Sequence, residues 1–250
     1  MNLRIWNEDC ICGAKGHLPD GSVDVGIHDP PFGIGEGAFG RMYNRQGSAV
    51  LEGYVEAPSD YATFTIAWMS EAIRVLKPSG SMYVVSGWSK LRDILNAAEH
   101  LGLHELRHII WKYNFGCFTQ RKFVTSHYHI LQYCRSPRQS AFDDVTALAQ
   151  ASLEPEAFES VWNIKREFHR EKKNANKLPE RLIERMLILS SRKGDVVCDF
   201  FIGNFTTARV ALQCGREPVG FELNRESYDH HMRGLLVVDA TNAVTVEPNS

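Results

Sequence analysis

The chain has 250 residues, of which 44% are hydrophobic and 23% charged, enough to bury one complete core and too apolar for extensive disorder. Its net charge of -2 argues against a protein that coats nucleic acid indiscriminately. No signal-peptide pattern opens the sequence and no apolar run reaches the length of a membrane span, so we expect a single cytoplasmic domain, 1–250, without membrane contact.

Strand patterns alternate with helical patterns along the chain, which indicates an α/β fold. Residues 33–58 are rich in glycine and predict a long mobile loop, whereas 136–164 are weakly patterned and acidic. Strands are predicted at 23–28, 81–87, 106–114, 126–134, 195–200 and 218–224. Helices are predicted at 61–76, 91–101, 178–191 and 206–215, and a last one through Asp229 and His230.

The cysteines and neighbouring histidines do not predict a metal site. The six cysteines are scattered among apolar neighbours, as is typical of reduced thiols in a core. Cys10-x-Cys12 lacks a second pair at zinc-finger spacing, and His127-x-His129 lacks an evident third ligand. We therefore expect packing or hydrogen bonding for these side chains, and no bound metal.

The strand 23–28 ends in Asp29-Pro30-Pro31-Phe32, at the edge of the sheet where α/β proteins bind ligands. Prolines fix the backbone and remove donors, so the Pro30 carbonyl is rigidly aimed beside the Asp29 carboxylate. These two acceptors match the two N–H donors of an exocyclic amine, and Phe32 offers a face for the attached ring. Holding both hydrogens out of the ring plane would free the nitrogen lone pair for attack on an electrophile. An isolated Asp-Pro-Pro is also compatible with an ordinary turn.

A second strand end carries the layout of an adenosine-cofactor site. The strand ending in Asp199 is followed by a turn at Gly203 and a helix, and the next strand ends in Glu222, which can accept from both ribose hydroxyls. The turn between Asp199 and Thr207 has a single glycine and lacks the glycine-rich phosphate signatures GxGxxG and GxxxxGK[ST], which disfavours a pyrophosphate cofactor at this site. An amine clamp beside a nucleoside site without a phosphate grip fits S-adenosylmethionine.

The Asp-Pro-Pro-Phe motif precedes the cofactor motif around Asp199 along the chain. In their residues and in this order, the motifs resemble those of the amino-group DNA methyltransferases of the permuted β type, in which DPP[YF] precedes the cofactor motif. The resemblance implies a doubly wound, Rossmann-like class I methyltransferase fold with a mixed, mostly parallel sheet. It also implies S-adenosylmethionine as donor, double-stranded DNA as partner, and a flipped adenine N6 or cytosine N4 amine as acceptor; an aspartate before the prolines favours adenine. The segments that carry it are NEDC (7–10), LPDGSVD (18–24), HDPPF (28–32), RVLKPSG (74–80), IIWKYN (109–114), SHYHIL (126–131), NKLPERLIERMLILSS (176–191), DVVCDFFIGNFTTA (195–208) and GFELN (220–224).

The resemblance also assigns site residues. Asp9 is expected to bind the adenine edge of the cofactor and Glu222 its ribose, with Asp199, Phe201 and Gly203 around its methionine and sugar. By motif match, the amine site comprises Asp29, Pro30, Pro31 and Phe32, and the cofactor site comprises Asp9, Cys10, Asp199, Phe201, Gly203, Asn204, Thr206, Thr207, Glu222 and Leu223.

Two basic segments, within 104–138 and 165–193, predict a one-sided surface for a polyanion, although such runs also occur as solvated helix faces. Segment 136–176 is a candidate for a short target-recognition region, and its brevity is compatible with a homodimer that supplies further DNA contacts. The predicted phosphate and DNA contacts are Lys112, Asn114, Arg121, Lys122, Lys172 and Lys173, together with the basic stretch 165–173.

The chain departs from the family pattern DPFxGSGTT, because Phe200 replaces the proline and Asn204-Phe205 replace Ser-Gly. The Phe205 side chain is expected either to crowd the methionine end of the cofactor or to strain a turn that favours positive φ. Three alternatives to adenine methylation follow: methylation of cytosine N4, methylation of an RNA base, and a catalytically silent subunit that binds nucleic acid.

Overall fold

A computed structural model describes residues 2–32, 57–114, 123–139, 159–166, 177–239 and 245–246. Most of the predicted loop 33–58 lies outside these ranges, as do residues 140–158 and 167–176. The strands are β1 (Asn2–Trp6), β2 (Val23–His28), β3 (Leu76–Ser86), β4 (His104–Lys112), β5 (His127–Cys134), β6 (Val161–Asn163), β7 (Val196–Asp199), β8 (Glu217–Phe221) and β9 (Thr245–Val246). The helices are α1 (Cys10–His17), α2 (Tyr61–Val75), α3 (Leu91–His100), α4 (Glu180–Ser190), α5 (Thr206–Gln213) and α6 (Arg225–Asp239).

The described strands form one mixed sheet in the order β6-β4-β5-β3-β2-β7-β8-β1-β9. Only β5 runs against its neighbours in this sheet: its pairings with β3 and β4 are antiparallel, and the other pairings are parallel. The predicted mixed, mostly parallel α/β sheet is therefore confirmed.

Helices cover both faces of the sheet. On one face, α1, α2 and α3 bury a cluster that includes Trp68, Met69 and Ile94. On the other face, α4 and α5 bury a second cluster that includes Ile183 and Met186. A third cluster lies where β1, α5 and α6 meet. The doubly wound arrangement leaves the carboxyl ends of the parallel strands as the ligand-binding edge.

The predicted helix 61–76 is observed as Tyr61–Val75. The next strand, β3, begins earlier than the predicted 81–87, and its register against β2 shifts between the pairs Val23–Leu76 and Val25–Ser81. The chain enters β3 at Leu76 instead of at Ser81, so Lys77-Pro78-Ser79-Gly80 begin the strand. Gly80 permits this path, because a Cβ there would lie 2.8 Å from the carbonyl oxygen of Asp24. The Lys77 ammonium group holds this part of β3 against β2 by donating to both carboxylate oxygens of Asp24 at 2.7 and 2.8 Å.

Histidines 108, 127 and 129 cluster on β4 and β5. His108 Nε2 lies 2.9 Å from His129 Nδ1, in a hydrogen bond, and the rings of His127 and His129 pack edge to face. Burial and the two neighbouring imidazoles lower the pKa of His129 to about 4. The prediction of hydrogen bonding and packing for His127-x-His129 is therefore confirmed.

Within the described part of the chain, no group of His, Cys, Asp or Glu side chains has an arrangement that would hold a metal ion. In the same residues, no helix is both long and apolar enough to cross a membrane.

Candidate active site

Three carboxyl groups lie together at the carboxyl edge of the sheet. Because β2, β7 and β8 are parallel neighbours, Asp29, Asp199 and Glu222 all follow or close their strands at the same edge. The register pairs Gly26 with Cys198 and Asp199 with Gly220. The structure thus brings together the two strand ends that the sequence singled out.

The Asp29-Pro30-Pro31-Phe32 segment presents a buried acceptor. The Oδ1 atom of Asp29 is buried and accepts no hydrogen bond from the described residues. Pro30 is buried, and Phe32 keeps part of its surface exposed. The Phe32 ring stacks on Tyr128 with the centroids 5.5 Å apart and the planes 8° from parallel. Tyr128 therefore covers one face of Phe32, and part of the Phe32 surface stays exposed.

His28 joins the ends of β2 and β7, a role that the sequence did not indicate. The backbone N–H of Phe200 donates to His28 Nδ1 at 3.2 Å, and the imidazole packs edge-on against Trp68 and Phe200. Gly26 makes room for this ring, since a Cβ there would lie 2.6 Å from His28 Nε2. Burial lowers the pKa of His28 to about 3, so Nδ1 stays an acceptor. A proline at position 200, as in the family pattern, would have no N–H to donate.

Asp199 organises the turn that follows β7. Its carboxylate accepts from the backbone N–H of Phe201 at 2.9 Å and from the Thr207 hydroxyl at 2.7 Å. Phe201 packs against Phe64 and Trp68, and Gly203 has a φ of +50°. The Thr206 hydroxyl and amide donate to Asn204 Oδ1. Thr206 and Thr207 therefore hold the turn in shape with their side chains.

Phe205 strains its turn and buries its ring in the core. Its backbone is left-handed, with φ 58° and ψ 24°, which confirms the expected positive φ. The ring is 1% exposed and faces Tyr228 and His231 in the third cluster, between β1, α5 and α6. Crowding of the methionine end was the alternative expectation, and the structure gives it no support, because the ring packs into the core.

Glu222 faces the turn from β8. It accepts from the backbone N–H of Asn224 at 2.7 Å. Asn7, at the end of β1, donates to the carbonyl oxygens of Glu222 and Leu223 at 2.7 and 3.2 Å. Leu223 itself is 54% exposed.

Asp9 and Cys10 begin α1 at the same edge. The Asp9 Oδ1 atom caps the helix by accepting from the amides of Ile11 and Cys12, both at 3.0 Å. Cys10 is buried in the first cluster, and burial together with the Asp9 charge raises the pKa of its thiol. Contact of Asp9 with an adenine edge stays a prediction; its established role is the helix cap.

The three neighbouring carboxyl groups favour the binding of a positively charged group. The pKa values of Asp29, Asp199 and Glu222 are each raised to about 7, chiefly by burial, and at Asp29 and Glu222 the charge of Asp199 contributes to the rise. Clustered buried carboxyls retain protons until a positive charge compensates them. A ligand with a positive centre would therefore be stabilised here.

Arg166 is a buried cation whose charge acts on Asp29, although the sequence predicted that its segment is exposed and contacts phosphates. It belongs to the stretch 165–173 that was predicted to meet phosphates, yet it is only 9% exposed. Burial alternates along residues 161–166: Val161, Asn163 and Lys165 are exposed and the intervening residues are buried. This strand-like period of two in the sequence could have predicted that Arg166 is buried. Residues 159–166 of the candidate recognition segment 136–176 thus pack with the sheet.

Two of the predicted DNA contacts are described. Lys112 and Asn114 are exposed at the end of β4, which runs parallel to β3 and therefore ends at the edge that holds Asp29. Arg121, Lys122, Lys172 and Lys173 lie outside the described residues.

Comparison with known proteins agrees with this geometry. The chain is 28% identical to the type II methyltransferase M.HpaI of Haemophilus parainfluenzae, over 90% of this chain and 72% of that protein. It is also 28% identical to the DNA adenine methyltransferase YhdJ of Escherichia coli K12, over 90% of this chain and 80% of that protein.

Solved structures show the same fold. TTHA0409 of Thermus thermophilus, crystallised in complex with S-adenosyl-L-methionine, matches with a TM-score of 0.70 at 19% identity, covering 99% of this chain and 100% of that one. The cytosine-N4-specific PvuII DNA methyltransferase matches with a TM-score of 0.72 at 14% identity, covering 100% and 97%. The family model for DNA methylases, the N6 and N4 methyltransferases, matches residues 23–233. The chain therefore belongs to the DNA methylase family.

Proposed function

We propose that this methylase transfers a methyl group from S-adenosylmethionine to the N6 amine of an adenine flipped out of double-stranded DNA. The observation that carries the proposal is the buried Asp29 Oδ1, an acceptor without a hydrogen bond among the described residues, beside two further buried carboxyls. An amine with N–H donors satisfies that atom, and a cationic methyl donor compensates the negative charge.

The residues fit the cofactor chemically. S-adenosylmethionine supplies an electrophilic methyl on a positively charged sulfur. Asp199 and Glu222 provide the negative environment that favours a sulfonium and an ammonium group, and Glu222 at the end of β8 is placed to accept from ribose hydroxyls. Phe201, held by Phe64 and Trp68, supplies apolar surface at the same turn.

The amine site prepares the nucleophile. Asp29 and the Pro30 carbonyl would accept the two hydrogens of the amine, and Phe32, braced from behind by Tyr128, would stack on the base. With both hydrogens held, the nitrogen lone pair would be directed at the methyl group that bound S-adenosylmethionine supplies, and the methyl would pass to nitrogen as its bond to sulfur breaks, leaving the nitrogen cationic. That nitrogen then loses one proton. Asp29, with its pKa raised to about 7, is suited to accept it.

DNA would approach the same edge of the sheet. Lys112 and Asn114 project there, and we propose that they contact the backbone near the flipped base. A homodimer that adds DNA contacts, and a cytoplasmic location, belong to the same proposal.

The burial of Phe205 weakens the alternative hypothesis of a catalytically silent subunit that binds nucleic acid. It was prompted by Asn204-Phe205, and the Phe205 ring lies in the third core cluster with β1, α5 and α6. Cytosine N4 is the nearer rival, since the family includes both acceptors.

Methyl transfer from labelled S-adenosylmethionine to mixed-sequence double-stranded DNA tests the proposal, with the product digested to nucleosides and identified by mass spectrometry. We expect N6-methyladenine. N4-methylcytosine would move the acceptor to the rival, and DNA binding without any transfer would favour the silent subunit.

A further inference from the structure

Arg166 occupies an aromatic cage directly behind the amine site. Its guanidinium carbon lies 4.9 Å from the ring centre of Tyr113, 5.2 Å from that of Tyr128 and 5.7 Å from that of Trp111. Trp111 and Tyr113 come from β4 and the residue after it, and Tyr128 comes from β5. Cation–π contact with desolvated rings is favourable, so the cage holds the charge in place.

The cage continues into the catalytic motif. Tyr128 contacts Arg166 on one side and stacks on Phe32 at 5.5 Å on another. The backbone that leads to Arg166 is fixed as well, because the Trp111 indole N–H donates to the carbonyl oxygen of Ile164 at 2.8 Å. Movement of Arg166 would therefore be passed to the ring on which Phe32 rests.

The charge of Arg166 also acts on Asp29. Among the described residues, Asp199 on β7 raises the pKa of the Asp29 carboxyl and Arg166 lowers it. His28, the preceding residue, is neutral because burial lowers its pKa to about 3. The guanidinium thus opposes both burial and Asp199.

We propose that Arg166 is the positioning residue of the amine site, bracing Tyr128 beneath Phe32 and supplying the counter-charge that keeps Asp29 an acceptor. The inference rests on the proposed function for its catalytic consequence. Its electrostatic part concerns this chain alone and is testable without substrate.

The direct test follows the Asp29 carboxyl carbon by NMR across a pH series, with its signal assigned from Asp29→Asn. Arg166→Gln and Arg166→Met remove the charge, and Met keeps apolar volume in the cage. We expect both to raise the Asp29 pKa by about one unit or more, and Arg166→Lys to restore most of the difference. An unchanged Asp29 titration in a folded charge-removing variant would overturn the inference, whether or not the protein methylates DNA.

Arg185 provides a matched control, since it is also 9% exposed and lies over an aromatic ring, that of Trp162 at 5.2 Å. In single-turnover methylation, we expect Arg166→Gln to move the acidic limb of the pH–rate profile upward and to lower the rate about tenfold at pH 7, with recovery at higher pH. Arg185→Gln should leave the limb in place. Equal losses in both variants at every pH would reduce Arg166 to a structural role and overturn the inference, whereas absence of transfer by the wild type would refute the proposed function alone.

Discussion

Phe205 shows how one residue can break a family pattern without blocking the site. A left-handed backbone costs a residue with a Cβ about 1–2 kcal/mol. Burying a phenylalanine side chain contributes about 1.5–3 kcal/mol. Because the ring is 1% exposed and packs in the third cluster, burial offsets the strain.

Replacing Phe205 with glycine should therefore destabilise the protein even though glycine suits the turn. Relief of the strain returns about 1 kcal/mol, but loss of the ring from a packed core costs about 3–5 kcal/mol. We expect the free energy of unfolding in urea to fall by about 2–4 kcal/mol, and the Kd for S-adenosylmethionine measured by calorimetry to change less than about threefold. A large change in Kd with unchanged stability would place the ring beside the cofactor.

The sequence predicted the site residues that stand at strand ends and missed those that depend on contacts across the fold. Asp29, Asp199 and Glu222 follow from the rule that α/β ligand sites lie at carboxyl ends. His28 and Arg166 do not, because their roles depend on a backbone amide and on rings far away in the chain. Phe200 stands where the family pattern has a proline, and its backbone N–H, which a proline would lack, donates to His28.

At the scale of elements, β2 has different roles at its two ends. At its amino end, Asp24 accepts from Lys77 Nζ on β3 at 2.7 Å and from the backbone N–H of Val196 on β7 at 2.9 Å. Asp24 thereby joins three strands at the edge opposite the site. At its carboxyl end, β2 delivers Asp29.

Substitution at the two ends should separate stability from chemistry. Asp24→Ala removes acceptors from a partly buried lysine and a strand amide, so we expect the free energy of unfolding to fall by about 1–3 kcal/mol. The methylation rate at saturating substrates should stay unchanged for the folded protein. Asp24→Asn, which keeps an acceptor for Val196, should lose less, and a rate loss in either folded variant would show that the two edges are coupled.

The elements were predictable where periodicity or a buried run was strong, as in α2, α4, β2 and β7. Helix α1 was missed because Gly13 and Gly16 weaken its helical pattern. The first strand β1 and the three-residue strand β6, Val161–Asn163, were also not predicted. Lys77-Pro78-Ser79-Gly80 end the helix as predicted. They also belong to β3, where the register against β2 shifts, and the contact of Lys77 with Asp24 that holds them there is one that no local pattern reveals.

At the scale of the molecule, the fold concentrates buried negative charge at one edge of a nearly neutral protein. The raised pKa values, about 7 for Asp29, Asp199 and Glu222, lie above those of an unfolded chain, so the native apoprotein binds more protons than the unfolded state between about pH 4 and 7. The stability that these groups contribute falls as pH rises through that window. His28, whose pKa is lowered from the ordinary 6.5 to about 3, acts in the opposite direction between those two values.

Because these contributions oppose each other, the shift in Tm caused by the cofactor is more informative than the stability of the apoprotein. A cationic ligand favours the ionised carboxyls, so we expect the stabilisation by S-adenosylmethionine to grow as pH rises through about 7 and to shrink below it. Thermal unfolding at fixed cofactor concentration measures this. S-adenosylhomocysteine, without the sulfonium charge, should show a weaker pH dependence, and equal dependence for both ligands would contradict the electrostatic account.

The central claim is that Asp29 activates the amine while neighbouring groups hold the cofactor, and Asp29→Ala tests it most directly. Single-turnover methyl transfer to DNA and calorimetric binding of S-adenosylmethionine should be measured on the same samples, with wild type and Asp24→Ala as controls. We predict that transfer falls by about a thousandfold or more while the Kd stays within about tenfold of wild type. Unchanged transfer, or a loss fully explained by failure to bind the cofactor, would contradict the claim.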